Sequence, residues 1–447
     1  MAIALAKPNE ISPARRVAFK ILQQVESGAF SSILLAAEEP QLQPADRALC
    51  HELVLGVLRW QLLLDRMIEH FSQRRIESLD LPVRIALRLG LYQLRYLTRI
   101  PASAAVNESV NLVRAARLSS ARALVNAVLR RAIREPEFDP AATVSDPLER
   151  IAVQTSHPLW LIDRWAATFG IVEAEAFSQA NNEVPATAFR LVTKKAGETE
   201  ILEKLNAAGA SLESSKIVAG AWRVTGATPL LRELTAAGEI YLQDEASQLV
   251  AQVVEVKPGN RVLDLCAAPG GKTTMMADRA GDRGMIVAAD RSATRLFMVT
   301  NTARIHKLKN ITPLVLDGAA RLPFAKESFD RVLVDAPCSG TGTLRRNPEI
   351  RWRLTPTDIV RLGEQQKQIL SRALEAVKPG GRLVYSTCSV ETDENEDVIE
   401  EVIGRDERFL LVNTTRTWPH IEKCDGFFIA VFQRRSHGSV AKTSRQC

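Results

Sequence analysis

The sequence predicts a multidomain chain, with an all-α bundle in front, a small α+β subdomain in the middle and an α/β doubly wound sheet behind. Three observations lead there. Apolar positions recur at helical spacing over the first 140 residues, with few β-branched clusters. From Ile240 onward, short apolar runs alternate with helical stretches. A length of 447 residues also exceeds what one core usually organises. The expected boundaries are 1–140 for the bundle, 141–239 for a linker and the subdomain, 240–435 for the sheet domain and 436–447 for a polar, disordered tail.

In the front region Ser12-Pro13 reads as an N-cap followed by proline at the first helical position, with Gly28 as a stop. A long helix starts at Asp46 and runs beyond Val57, and another runs from Leu81-Pro82 to Leu97. Pro101 and Ser119-Ser120 divide the remainder into two more. Between Asn111 and Arg134 stand Arg114, Arg117, Arg122, Arg130, Arg131 and Arg134 with no acidic residue, and Leu81–Ile100 adds Arg84, Arg88, Arg95 and Arg99. Solvated helix faces usually mix signs, because like charges at helical spacing repel. A single-sign arginine face therefore points to a phosphate backbone, which the planar guanidinium suits. Net charge of +6 agrees in sign without proving a polyanionic partner.

Glu135-Pro136-Glu137-Phe138-Asp139-Pro140 reads as a boundary. Beyond it come a helix from Pro158 to Phe169 ending at Gly170, strands at Ala188–Thr193 and Ala221–Thr225, and a helix at Thr199–Ala208. Lys194, Lys195 and Lys204 are candidate nucleic-acid contacts, although lone surface lysines usually do nothing so specific. Tyr241–Ser247 leads into an amphipathic helix through Val254.

The sheet domain offers strands at Arg261–Leu265, Met285–Ala289, Ile311–Leu316, Arg331–Val334, Arg382–Ser386 and Phe427–Phe432. Ligands of such sheets bind outside the carboxyl ends of the strands. Asp290, Asp317 and Asp335 follow three of those ends. The turn at Gly270-Gly271 is no Walker loop, because Cys266 stands where that motif needs its first glycine. It still lets a ligand approach the backbone at a helix N-terminus. Asp290 lies 19 residues past Gly271, near the spacing expected of an acid gripping a ribose diol. An adenosine moiety without a triphosphate fits, so S-adenosylmethionine is the expected cofactor, with Asp317 toward the adenine; a nicotinamide cofactor is the weaker alternative.

Composition narrows the class further. The six cysteines (Cys50, Cys266, Cys338, Cys388, Cys424, Cys447) never form C-x-x-C, so neither a zinc site nor a disulfide framework is expected. A free thiol is by default a small buried apolar residue. No apolar run approaches the roughly 20 residues of a membrane span. Met1–Glu10 lacks a signal peptide's layout, so no membrane association and a cytoplasmic location are expected.

Two thiols depart from that default by their setting. Val334-Asp335-Ala336-Pro337-Cys338-Ser339-Gly340 closes one apolar run, and Tyr385-Ser386-Thr387-Cys388-Ser389 closes another fifty positions later. Methylating cytosine at carbon 5 is hard because that carbon is a poor nucleophile. A thiolate adding to the neighbouring ring carbon makes it electron-rich, and a base must then remove a proton so that the thiol can leave. A carboxyl such as Asp335 suits contact with the ring nitrogen. Two thiols and an aspartate supply the parts, and the residues alone leave open which thiol attacks.

C-A-A-P-G-G-K at Cys266–Lys272, D-A-P-C-S-G-T-G at Asp335–Gly342 and S-T-C-S at Ser386–Ser389 resemble the motifs of the Sun family of RNA cytosine-5 methyltransferases. Tyr241–Ser247, Arg345–Trp352 and Asp425–Phe428 match further elements of that pattern, and the front bundle resembles the NusB type of RNA-binding domain. The resemblance implies a Rossmann-like, S-adenosylmethionine-dependent methyltransferase domain. It implies Cys388 as nucleophile, Cys338 in product release, Asp335 against the base and Lys272 assisting. Cofactor contacts carry over to Cys266, Ala267, Ala268, Pro269, Gly270, Gly271, Lys272, Asp290, Asp317 and Asp335, with no metal. The implied partner is 16S rRNA or a small-subunit assembly intermediate, met by a monomer. Arg190-Leu191-Val192-Thr193 departs from the family, whose members usually carry asparagine after arginine and valine. The alternatives are another RNA cytosine, a DNA-type arrangement in which Cys338 attacks, and an RNA-binding assembly factor with an inactive enzyme domain.

Overall fold

A computed structural model describes residues 11–192, 197–404 and 406–436. It divides into two compact units, one of residues up to Val184 together with Leu344–Arg353, the other of Pro185–Thr343 and the chain from Leu354 onward. Met1–Glu10, Lys194, Lys195 and the tail from residue 437 with Cys447 lie outside the described residues.

The first unit is helical: α1 (Pro13–Glu26), α2 (Ser31–Glu38), α3 (Pro44–Arg59), α4 (Gln61–Ser72), α5 (Leu81–Tyr96), α6 (Ala102–Ala115), α7 (Arg122–Arg134), α8 (Pro147–Thr155), α9 (Leu159–Phe169) and α10 (Ile171–Ala180). Pro13 opens α1, but Ser12 does not cap it with its side chain. Its N–H and hydroxyl instead donate to Glu108 at 2.8 and 2.7 Å, and Glu108 also pairs with the buried Arg15 at 2.9 Å. The expected helix from Asp46 is two helices, because Trp60 leaves helical geometry (φ −107°, ψ 18°) and stacks on Tyr96 at 5.1 Å. Glycine is required where α3 meets α5, since a Cβ at Gly56 would lie 2.0 Å from the Tyr92 ring. Helices α8 to α10 cluster with this unit, which runs to Val184. Trp165 and Phe177, both buried, join α9 to α10 edge to face at 4.7 Å.

Leu344–Arg353 lies in sequence just beyond the first thiol motif, yet it packs within the helical unit. Arg351 is fully buried and donates to the side chain of Asn182 (2.9 Å) and the carbonyls of Ser156 (3.1 Å), Arg59 (3.3 Å) and Asn181 (3.3 Å). Trp352 donates its indole N–H to Leu58 O at 2.6 Å, and Glu349 accepts the N–H and hydroxyl of Ser31, both at 2.9 Å.

The second unit holds two sheets. The smaller contains β1 (Thr187–Leu191), β2 (Ser211–Ser214), β3 (Ala221–Thr225) and β4 (Ile240–Leu242), antiparallel in the order β2-β3-β1-β4, with α11 (Glu198–Ala207) and α12 (Thr228–Ala237). Phe189, Ile201, Leu205, Val224 and Ile240 form its core. β4 extends this sheet past residue 239 into the segment expected to open the next domain. The polar β2 carried no strand signal and pairs with β3 at the sheet edge.

The larger sheet has seven strands in the order β10-β11-β9-β8-β5-β6-β7. These are β5 (Arg261–Asp264), β6 (Met285–Asp290), β7 (Ile311–Val315), β8 (Phe329–Asp335), β9 (Val377–Thr387), β10 (Phe409–Thr417) and β11 (Phe427–Arg434). The helices are α13 (Glu245–Val253), α14 (Gly271–Ala280), α15 (Ala293–Ile305), α16 (Pro356–Ala376) and α17 (Glu396–Ile403). β5 to β9 are parallel, and β11 and β10 close the edge antiparallel. Central strands such as β5 and β8 are apolar because both faces are covered. Strand order reverses between β5 and β8, which opens a crevice at their carboxyl ends.

Candidate active site

The crevice holds a cavity of about 180 Å³ lined by Tyr241, Gln243, Ser247, Asp264, Cys266 to Lys272 and Asp335. Gly270 opens α14 at φ 109°, a conformation that a side chain would strain. A Cβ on Gly271 would lie 2.9 Å from the Tyr241 ring. The glycine pair thus leaves the helix N-terminus bare toward the cavity.

Asp264 ends β5, is fully buried and accepts from Thr273 at 2.7 Å through one oxygen, while the other has no partner. Burial raises its pKa from 3.8 to about 7, with Asp335 and Asp290 adding to the effect and Thr273 and Lys272 opposing it. An orphaned acid at the cavity floor fits a cationic ligand, and S-adenosylmethionine carries both an ammonium and a sulfonium. The folded-state pKa is raised, so the proton on Asp264 stabilises the fold at acid pH. That contribution is complete below the unfolded value and is lost as pH rises through about 7. Cofactor-free protein is therefore expected to lose up to about 4 kcal/mol between about pH 4 and 8, and Asp264→Asn should flatten that slope in urea titrations. An equal slope in both proteins would refute the assignment.

Asp290 ends β6, and Asp317 follows β7 by two residues. Asp290 is buried and accepts the N–H groups of Ala268 (3.3 Å) and Ser292 (2.9 Å), whereas the exposed Asp317 accepts that of Ala319 (3.0 Å). The carboxylate of Asp335 is divided, one oxygen taking the Lys272 ammonium at 2.6 Å and the other the Ser386 hydroxyl at 2.8 Å. Burial alone would lower the Lys272 pKa, but Asp335 outweighs it, and Cys388 adds a further upward pull. Lys272 is thus a firm cation directed at Asp335 and Cys388.

Both thiol loops leave adjacent parallel strands in register, Asp335 opposite Ser386. Ala336 N–H donates to Ser386 O (2.8 Å) and Gly342 N–H to Cys388 O (3.0 Å). Gly426 N–H reaches Gly342 O at 2.7 Å, and a Cβ at Gly342 would clash at 1.9 Å, so the Asp425-Gly426 turn needs glycine opposite it. The result is a sulfur–sulfur contact of 3.3 Å between Cys338 and Cys388. That contact, together with burial, pushes the Cys338 thiol well up. Burial does the same to Cys266, which keeps that thiol protonated.

In the helical unit Arg117, Arg122, Arg130 and Arg134 are exposed, while Arg114 and Arg131 are half-buried. Arg131 pairs with Glu135 at 2.8 Å and donates to the carbonyls of His70 and Phe71. Arg88 is buried, forked onto Asp65 at 2.7 and 2.8 Å with Glu26 at 2.6 Å, so it is an internal ion pair and not a phosphate contact. Lys204 pairs with Glu200 at 2.7 Å. Arg190 is buried, donates to Thr274 at 2.9 Å and lies over the Tyr241 ring, which ties β1 to the cofactor helix α14. Sequence reasoning passed over Asp264, although it closes a strand as the three chosen acids do. It also gave no role to Ser386 and Gln243, although both stand inside the quoted motifs. Among the described residues no cluster could hold a metal ion, and no helix is long and apolar enough to cross a membrane.

A doubly wound sheet with this loop defines an S-adenosylmethionine-dependent methyltransferase. Family models match in three places: 16S rRNA methyltransferase RsmB/F over residues 251–433, the NusB family over 12–134, and the RsmF/B-like ferredoxin-like domain over 157–230. A probable ribosomal RNA small subunit methyltransferase B of Synechocystis is 36% identical, covering 93% of this chain and 98% of that protein. The corresponding Bacillus subtilis protein is 33% identical, with coverage of 94% and 98%. The chain belongs to the ribosomal RNA small subunit methyltransferase B family. Among solved structures, PH0851 superposes with a TM-score of 0.82 at 27% identity, covering 97% of this chain and 100% of that one. A methyltransferase homolog from Pyrococcus horikoshii gives 0.58 at 26% identity, covering 65% and 100%.

Proposed function

We propose that this protein methylates carbon 5 of a cytosine in 16S rRNA through a covalent adduct on Cys388. The observation that carries this reading is the pair of thiols in contact beside the Lys272–Asp335 ion pair, at the mouth of the cofactor crevice. S-adenosylmethionine supplies the methyl group when bound. The Cys388 sulfur bonds to ring carbon 6, and the ring's electron pair moves to carbon 5, which then takes the methyl group. A base removes the carbon 5 proton, the electron pair returns to the ring, and the carbon–sulfur bond breaks. Cys338, touching Cys388, serves that release. Asp335, paired with Lys272, addresses the polar edge of the base.

The helical unit supplies the RNA affinity through Arg114, Arg117, Arg122, Arg130, Arg131 and Arg134, and the enzyme works as a cytoplasmic monomer. The exposed Arg130 and Arg134 are the cleaner probes, because Arg131 also holds Glu135. Reversing both charges should weaken RNA binding about ten-fold at low salt and reduce the salt slope by about one per lost phosphate contact. Fluorescence anisotropy across a salt series reads both, and an unchanged slope would remove these arginines from the interface.

The reaction itself is tested with labelled methyl donor and small-subunit RNA, both naked and in assembled particles, followed by bisulfite sequencing. One bisulfite-resistant cytosine is expected. Cofactor and RNA binding without any transfer would favour an assembly factor with an inactive enzyme domain.

A further inference from the structure

Glu394 is fully buried at the end of the turn Thr392–Glu394, six residues beyond Cys388. One carboxylate oxygen accepts the Ser339 N–H at 2.8 Å and the Gln366 amide at 3.0 Å. The other accepts the Ser389 hydroxyl at 2.5 Å and the Ser339 hydroxyl. Burial raises the Glu394 pKa, and each of these four partners opposes that by donating, since an ionised carboxylate is what four donors satisfy. Ser339 and Ser389 directly follow Cys338 and Cys388. Gln366, on α16, also donates to Pro337 O at 2.9 Å, the residue before Cys338. The Tyr385 hydroxyl donates to the Glu394 carbonyl at 2.5 Å and to the Gln366 side chain at 3.1 Å. One buried carboxylate therefore ties both thiol loops to α16.

Its charge also bears on Cys338. Cys338 is pushed up first by its contact with Cys388, then by burial, and further by Cys388, Glu394 and Asp335 as charges. The nearby cation, Lys272, bears on Cys388.

We propose that Glu394 is a positioning residue for the transfer step: it holds the two thiol loops at sulfur-contact distance and assigns their roles, leaving Cys338 as hydrogen-bond donor and Cys388 as the attacking sulfur. This rests on the reading in which Cys388 attacks. Glu394 is fully buried, does not line the cofactor cavity, and acts through Ser339 and Ser389.

The test follows each thiol directly in the full-length protein by iodoacetamide labelling and peptide mass spectrometry, with S-adenosylmethionine calorimetry as the check on folding. In Glu394→Gln the charge is gone and one acceptor becomes a donor. Cys338 should label at least about five-fold faster near pH 8. Cofactor affinity should stay within about two-fold, while kcat for methyl transfer falls about 50-fold and KM for RNA changes less than about three-fold. Glu394→Asp keeps the charge but shortens its reach, so Cys338 labelling should stay within about two-fold of wild type while kcat falls about ten-fold. Unchanged Cys338 labelling in Glu394→Gln with intact cofactor binding would overturn the proposal. So would loss of cofactor binding in both variants, which would make Glu394 a residue of the fold alone. An error in the assignment of the nucleophile looks different: wild-type Cys338 would label faster than Cys388 before any change at Glu394.

Discussion

Cys388→Ala is expected to abolish both methyl transfer and covalent capture of RNA, whereas Cys338→Ala should accumulate a protein–RNA adduct that survives denaturing gels. Without a nucleophile the covalent route is closed, and a loss of at least about 10⁴-fold is anticipated. The two thiols are 3.3 Å apart, so distance alone does not rank them. Their surroundings do. Cys338 is pushed toward the neutral thiol by its contact with Cys388, by burial, and by Glu394 and Asp335, while Cys388 lies in the electrostatic reach of the Lys272 ammonium. A neutral thiol touching the sulfur that must depart is placed for release. Its removal should therefore leave the first bond intact and stall the last. An inert Cys338→Ala together with adducts in Cys388→Ala would reverse the assignment.

How far the sequence reveals this site depends on how local each interaction is. The loops at Cys266–Lys272, Asp335–Gly342 and Ser386–Ser389 are contiguous runs that close apolar strands, so their chemistry could be read in place. Their convergence follows from strand order, since parallel β5, β8 and β9 deliver all three to one edge of the sheet. Glu394 gave no such signal, because its partners come from residues up to 55 positions away and it sits in an acidic run that reads as a solvated surface. The arginines failed in the opposite way. Leu81–Ile100 contains no acid, yet Arg88 finds Asp65 on α4 and Glu26 on α1, and pairing across helices is invisible to a count along one of them.

Strand signals divided on the same line. Buried parallel strands such as β5 and β8 show as apolar runs, and the antiparallel β11 does too. β10 is an edge strand whose exposed stretch, Leu410–Thr414, mixes apolar and polar residues without alternation, and it exists because β11 supplies its ladder. The segment after the first thiol loop was legible as a family element but not as a structural part of the helical unit. Nothing in its sequence marks it for burial, yet the structure buries Arg345 and Arg351.

That burial makes Arg351 the site of the second large effect. Arg351→Ala should destabilise the full-length protein by about 3–5 kcal/mol, read as an earlier transition in guanidinium titrations. The guanidinium lies at full burial, and its partners are the carbonyls of Arg59, Ser156 and Asn181 and the side-chain oxygen of Asn182. Burial, with the nearby Arg59 adding to it, holds its pKa well below the usual arginine range. Four oxygens arranged around one cation are left without a donor when it is removed, and each buried acceptor so orphaned costs about 1–3 kcal/mol before relaxation or water entry. Truncation also leaves a cavity the size of a long side chain. Lysine should recover only part of the loss, because one ammonium cannot reproduce the planar fork that reaches four directions. A change below about 1 kcal/mol for Arg351→Ala would mean that water replaces the guanidinium at little cost, and the segment would then be a passenger on the helical unit instead of part of its core.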